Sequence, residues 1–384
     1  MNPEKPTDWN PRAADVLDDQ IAAYDAMRHR CPVAHSDYLW WSLFRHADVM
    51  RVLHDPRSFS NAASNHLSIP NAMDPPEHTP YRDIIDRYFT PEHMAAFEPV
   101  CRDIAHALVG DLPRDQGFEM MGGFAQTFAL RAQCAFMGWP DSLHEPLREW
   151  IGKNHRATRA GDRSAMAQIA VEFDGHIKQQ LVLRRDAGAQ APDDVTTRLV
   201  HEHIHGRPLS DEEVVSIVRN WTVGELGTIA ASVGILVHHL ATHAALQAEL
   251  RQQAADLPAA IDEILRLHAP LIANRRVTTC PVEIGGRQFG AGERLTLIWA
   301  SANRDEAVFG DPDRFDPERN DKHNLLYGAG VHVCPGAPLA RLELRLILHA
   351  LLAGTREITL ASSPSPQRAG FPASGFASLT VVVR

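Results

Sequence analysis

The sequence has no C-x-x-C pair, no apolar run long enough to span a bilayer and no surplus of positive charge. Its five cysteines, Cys31, Cys101, Cys134, Cys280 and Cys334, are widely spaced. That pattern argues against a disulfide framework of the secreted kind, so each thiol either packs or does chemistry. The longest apolar stretch, Thr228 to Val237, ends at His238 and His239, short of the ~20 residues a membrane helix needs. The N-terminal segment MNPEKPTDWNPRAADVLDDQ is polar and acidic and lacks the apolar centre of a secretory signal. A cytoplasmic protein with no membrane partner is expected. A net charge of -10 argues against nucleic acid as the main partner, because phosphate binding needs a basic surface.

What is present is ordinary globular composition, 44% hydrophobic over 384 residues, enough for a large buried core. No repeat, low-complexity tract or long linker divides the chain, so a single domain over 1–384 is expected, partly irregular at its N-terminus. Helical periods dominate from Asp83 to Leu352, with apolar residues three and four apart. Residues 275–299 instead look like short strands joined by Gly-Gly and Gly-Ala-Gly turns, and SLTVVVR at the C-terminus is another strand. The expected fold class is mainly α with small β-sheets (α+β).

One helix stands out. Ser210-Asp211-Glu212-Glu213 is a capping box, and apolar residues continue to about Leu240, giving ~30 residues and ~45 Å. Gly224 and Gly227 lie at its centre, each costing ~1 kcal/mol relative to alanine. Either something approaches the backbone there or another helix packs tightly against it.

Residues 327–341 read YGAGVHVCPGAPLAR. Gly328, Gly330 and Gly336 let the backbone adopt unusual conformations and come near a flat ligand. Pro338 suits a first helical turn, and Leu339, Leu342, Leu346 and Ile347 give that helix an apolar face. Cys334 thus precedes a helix N-terminus, whose partial positive charge favours the metal-binding thiolate.

The segment resembles the haem-binding loop of the cytochromes P-450, Phe-Gly-x-Gly-x-His-x-Cys-x-Gly-x-x-Leu-Ala-Arg, with Tyr327 in place of phenylalanine. The resemblance runs from about Cys31 to the C-terminus. It implies the cytochrome P-450 fold, with haem b sandwiched between the long central helix and the cysteine loop. Cys334 is then the axial ligand, and Tyr327, Gly328, Gly336 and Gly224 line the cofactor. Asp74-Pro75-Pro76-Glu77-His78-Thr79-Pro80-Tyr81-Arg82 resembles the family's entry to a propionate-binding helix. By that resemblance His78, Arg82, Arg276 and His332 hold the propionates, and the i,i+4 spacing puts the first two on one helix face. Glu263-Ile264-Leu265-Arg266 and Phe315-Asp316-Pro317-Glu318-Arg319 resemble the family's Glu-x-x-Arg and Phe-x-Pro-x-Arg. They imply a buried structural network of Glu263, Arg266 and Arg319, which must be fully paired.

In the central helix the family usually shows Ala/Gly-Gly-x-Asp/Glu-Thr, whereas this chain aligns as Gly224-Glu225-Leu226-Gly227-Thr228. The threonine is kept as Thr228, the acid position is Gly227, and a carboxylate stands earlier at Glu225. Glu225 is either a proton relay from a new direction or a buried structural acid. Two clusters are discounted. His201-Glu202-His203-Ile204-His205 reads as solvated and not as a metal site. Trp40 and Trp41 read as packing within a sheet.

The implied activity is a haem-thiolate monooxygenase that activates O2 and inserts one oxygen atom into a small-to-medium hydrophobic or aromatic substrate. Lacking a flavin or iron–sulfur domain, it would take electrons from a ferredoxin and its reductase, or a flavin equivalent, docking near Arg87, Arg102 and Arg345. His66, Leu67, Ile69, Val223, Leu271, Ile272 and Phe376 are the expected pocket. The alternatives are a peroxide-driven or nitric-oxide-reducing haem-thiolate enzyme and, outside catalysis, a haem sensor.

Overall fold

The computed structural model describes residues 7–63 and 67–384. The architecture is mainly helical with small sheets, as expected. The central helix runs Asp211–Thr242 over 32 residues. Its start is fixed by the capping box: the Glu213 N–H donates to Ser210 Oγ at 3.3 Å, and the Ser210 N–H donates to Glu213 Oε2 at 2.7 Å. Arg207, and then Tyr81, also donate to that carboxylate and hold it down to about 2.

By length and composition this helix could cross a membrane, which the longest uninterrupted apolar run did not reveal. Its apolar surface is covered by the helices Gln126–Met137, Arg163–Ala187, Leu257–His268 and Ala337–Gly354. Most of its length is therefore core. The two readings of its central glycines now separate. No heavy atom lies within 4 Å of where a Cβ would stand on Gly224 or Gly227, so neither mediates tight packing. The packing glycine is Gly234, where a Cβ would come within 2.4 Å of Met121 Sδ.

Five strands form one sheet, ordered Val33–Ser36, Trp40–Leu43, Arg294–Ile298, Ala273–Thr278, Phe59–Ser60. Arg294–Ile298 runs antiparallel to Ala273–Thr278, with Leu295 opposite Arg276. Gly285 and Gly286, at φ 55° and 77°, make the turn between Val282–Ile284 and Arg287–Phe289. Trp41 is buried on this sheet, its ring edge-on to Phe289 at 5.2 Å, whereas Trp40 is exposed. The C-terminal strand Thr380–Val383 pairs between Gly117–Glu119 and Ile358–Leu360.

Behind the cysteine loop, Arg266 grips Glu263 with two bonds, Nε to Oε2 at 2.7 Å and Nη2 to Oε1 at 2.9 Å, both residues almost wholly buried. The third member differs from expectation. The one-turn helix Pro317–Asn320 turns Arg319 outward and Asn320 inward. Asn320 Nδ2 donates to Glu263 Oε1 at 2.8 Å and the Asp316 N–H donates to the same oxygen at 2.9 Å. Arg319 lies against Gly310 instead. A neutral amide thus completes the pair, which leaves one cation fewer to bury.

Candidate functional site

The cysteine loop is shaped by two glycines that no other residue could replace without strain. Gly328 and Gly330 have φ of 73° and 71°, and a Cβ on Gly330 would lie 2.2 Å from the Leu53 carbonyl oxygen. The Cys334 N–H donates to the Tyr327 carbonyl at 2.8 Å, closing the loop. The helix Ala337–Gly354 follows, with Pro338 in its first turn and Leu339, Leu342, Leu346 and Ile347 buried, as the sequence predicts. The Cys334 side chain keeps an exposed face while dense protein surrounds it on the other sides. Burial pushes its thiol up, opposed by the backbone N–H groups of Gly336 and Ala337 and by the Arg82 charge. The N-terminal helix field alone does not ionise it; a metal cation would. The Tyr327 ring packs under Arg341, whose guanidinium lies 4.5 Å from the ring centroid and pairs with Asp262 at 2.8 Å.

Four basic side chains converge beside the loop from three elements. His78 and Arg82 share the helix His78–Asp86, Arg276 comes from the sheet, and His332 comes from the loop itself. The two imidazoles meet edge to face at 4.4 Å, and Nε2 of each has no hydrogen-bond partner. Arg276 is buried, and desolvation brings its guanidinium down to about 10. Desolvation first, then the neighbouring His78 and Arg276, push His332 down to about 3. Arg82 Nη1 donates to the Val333 carbonyl at 2.6 Å and Nε to Asp86 at 2.6 Å. Such crowding of cationic groups around unpartnered donors suits an anionic ligand.

On the central helix, Gly224 and Gly227 leave the backbone bare, and the Thr228 hydroxyl donates to the Gly224 carbonyl at 2.7 Å. Glu225 Oε1 has no partner, and burial pushes this carboxyl up to about 8. Val223 beside Gly224 presents open apolar surface, as do Leu67 and Leu271. Segment 67–69 is fastened to the helix. Arg219 Nη2 donates to the Leu67 carbonyl at 2.7 Å, the Ile69 N–H donates to Ser216 Oγ at 2.9 Å, and Asn220 Nδ2 donates to the Ile69 carbonyl at 2.9 Å. Arg219 also pairs with Asp174 of the helix Arg163–Ala187 at 2.5 Å.

A family profile described as Cytochrome P450 matches residues 136–355. Erythromycin C-12 hydroxylase of Saccharopolyspora erythraea is 31% identical over 359 residues, covering 89% of this chain and 89% of its own. Cyclomarin C epoxidase CymV of Salinispora arenicola is 30% identical, covering 88% of this chain and 89% of its own. A mutant of P450 EryK in complex with erythromycin B superposes with a TM-score of 0.86 at 30% identity, over 96% of this chain and 97% of that one.

The chain belongs to the cytochrome P450 family. It is a P450 monooxygenase whose cofactor is haem with cysteine-thiolate ligation. The residues present fit that group. The orphaned imidazole nitrogens of His78 and His332 await acceptors, the bare backbone at Gly224 and Gly227 admits a flat ligand, and Cys334 is exposed.

Several expected site residues stand elsewhere in this P450. Ile69, Ile272 and Phe376 are packed into core clusters, Ile272 among Tyr24 and Phe44 and Phe376 against His238 at 4.5 Å. Along the segment leading into Ala273–Thr278, successive side chains take opposite sides, so Leu271 is open where Ile272 is buried. His66 lies outside the described residues. Arg102 and Arg345 both pair with Glu98, and Arg345 lines a groove of about 300 Å³ with Pro91, Met94, Pro338 and Arg341. Arg87 instead pairs with Glu202 at 2.9 Å. His201, His203 and His205 are exposed around the hairpin His203–Ile204/Arg207–Pro208. The sequence reading missed Asn320 and also Glu343, an acid with 0% exposure four residues from both Leu339 and Ile347, on the helix's buried face.

Proposed function

We propose that this P450 hydroxylates or epoxidises a small-to-medium hydrophobic or aromatic substrate, with Cys334 as the haem ligand and His78, Arg82, Arg276 and His332 as propionate partners. Bound haem supplies the activation of dioxygen. The chain's own part is to neutralise the propionates, keep water from the thiolate side and manage protons on the other. The observation that carries the substrate reading is the open apolar surface of Val223, next to Gly224, and of Leu67, whose carbonyl Arg219 and Ser216 of the same helix hold. An apolar ligand lying on these residues would have its reacting carbon near Thr228 without a polar anchor. The relatives named for hydroxylation and epoxidation support the reaction class. Linalool 8-monooxygenase of Pseudomonas putida, 28% identical, supports a compact substrate.

Thr228 can turn its hydroxyl from the Gly224 carbonyl to a ligand above the bare backbone, and Glu225 is the acid that keeps a proton close by. We further propose a cytoplasmic single unit over 1–384 that takes electrons from a ferredoxin and its reductase. The groove beside Arg341 and Arg345 supports this, because it lies on the cysteine-loop helix. Charge reversal at Arg345 should slow reduction and leave the absorption spectrum unchanged; an unaltered rate would remove the groove from consideration.

The direct test is the spectrum of the reduced protein with carbon monoxide, followed by titration with small apolar compounds. A red-shifted Soret band and a spin-state change on adding compound are expected. Thiolate ligation with no response to any apolar compound would keep the family assignment and discard the substrate class.

A further inference from the structure

Glu343 is an acid in a place that offers it nothing. It lies on the buried face of the helix Ala337–Gly354, with 0% exposure, and neither of its carboxyl oxygens has a hydrogen-bond donor in reach. Glu225 Oε1, on the central helix packed against it, is likewise without a donor. Among the described residues neither acid forms an ion pair. What each faces is the other, the two carboxyls standing in hydrogen-bonding relation. The remaining titratable groups around the pair are thiols, Cys101 from the helix Pro91–Gly110, Cys134 from Gln126–Met137 and Cys334 from the loop. All three are shifted upward, chiefly by burial, and Cys134 is pushed up to about 12. Among the described residues no cation offsets a charge on either carboxyl.

Two carboxylates cannot bond to one another, and two anions in contact without a cation are strongly disfavoured. A proton on one of them resolves both problems, because its O–H then donates to the other. Position decides which. Glu343 is wholly enclosed and has only Glu225 to bond to, while Glu225 borders the bare stretch at Gly224 and Gly227.

We propose that Glu343 is a positioning residue for Glu225: it keeps its proton at neutral pH and donates it in a hydrogen bond to the Glu225 carboxyl. The helix that follows the cysteine loop thereby sets the protonation of the acid beside Thr228. Burial pushes both carboxyls upward, and the complete enclosure of Glu343 makes it the one that keeps its proton. The inference rests on the reading of Glu225 as a proton-handling acid, but its test does not.

That test is infrared titration of the holoprotein, following the carboxyl stretching band lost in Glu225→Gln. Glu343→Gln keeps a neutral donor and should leave the Glu225 midpoint in place. Glu343→Leu removes the donor and should raise the midpoint by about one pH unit. If both variants lower it, Glu343 is an anion in the native protein and the proposal is overturned; if neither variant moves it, the two acids are uncoupled and the proposal is equally overturned. Should Glu343→Leu fail to fold, the wild type still decides. Above the Glu225 midpoint an acid band must persist that Glu343→Gln removes, and its absence refutes the proposal. The ratio of peroxide to product against pH then tests Glu225 separately. If that ratio ignores the midpoint, Glu225 loses its proton-handling role while its coupling to Glu343 stands.

Discussion

At the scale of single residues, the site works by leaving polar atoms unsatisfied where a ligand will meet them. The Thr228 hydroxyl is the contrasting case, because it is occupied by the Gly224 carbonyl and must exchange that bond to act. Thr228→Ala deletes the donor and retains the helix. NADH should still be consumed, while product falls by about tenfold or more and hydrogen peroxide rises, a loss typical of one proton-handling group. Coupling equal to wild type would place the oxygen-side donor elsewhere. The basic cluster beside the cysteine loop makes a second prediction. His332→Ala and Arg276→Ala should each release haem more readily, by about 10–100-fold in affinity, as loss of a supporting partner commonly does. Dissociation followed by transfer of haem to apomyoglobin measures this. That His78, Arg82 and His332 would gather beside Cys334 was legible in the sequence because they lie in ordered motifs with fixed spacing, and the resemblance added Arg276. Glu343 was not, since an acid in a leucine-rich helix looks like any surface acid until its face is known to be buried.

At the scale of elements, the capping box and the strand-turn-strand run over 275–299 were readable because their signals are local. What a one-turn helix does with two neighbouring side chains is set by its packing. That is why Arg319 looked like the partner of Glu263 and Asn320 is the partner. The difference can be measured in urea. Arg319→Ala should change stability by no more than about 0.5 kcal/mol, as exposed substitutions do. Asn320→Ala should cost about 1–3 kcal/mol, because it removes one of the three donors to Glu263 Oε1 in a buried pair. The reverse ranking would restore the arginine to the network. The apolar pocket wall shows the same limit: Leu271 and Ile272 differ by one position, and only the backbone decides which is open.

At the scale of the whole molecule, buried titratable groups set how stability depends on pH. His239 and His268 share a 3.1 Å contact between ring nitrogens, with His238 adjacent in sequence, and desolvation lowers all three from 6.5, to about 4, 3 and 4 respectively. In the unfolded chain these imidazoles protonate near 6.5, so between that pH and about 4 the unfolded state binds protons the folded state refuses. Stability should therefore fall as pH drops through this window. Replacing His268 with Asn should flatten the fall, read as melting temperature at pH 7 and pH 5. A melting temperature independent of pH there would mean the imidazoles are charged in the fold. Glu225 acts with opposite sign: its raised value favours the fold fully below about 4.5, and that contribution is lost as pH rises through about 8, with Glu343 shifted in the same direction.

The Arg219 side chain ties three parts of the protein at once, the Leu67 carbonyl, the central helix that carries it and Asp174 of the helix Arg163–Ala187. Segment 67–69 cannot lift from the central helix until that fork lets go. Any compound whose path runs beneath the segment must wait for that bond to part, so its arrival and departure would share one clock, and trimming Arg219 would shorten residence without altering the chemistry performed once inside.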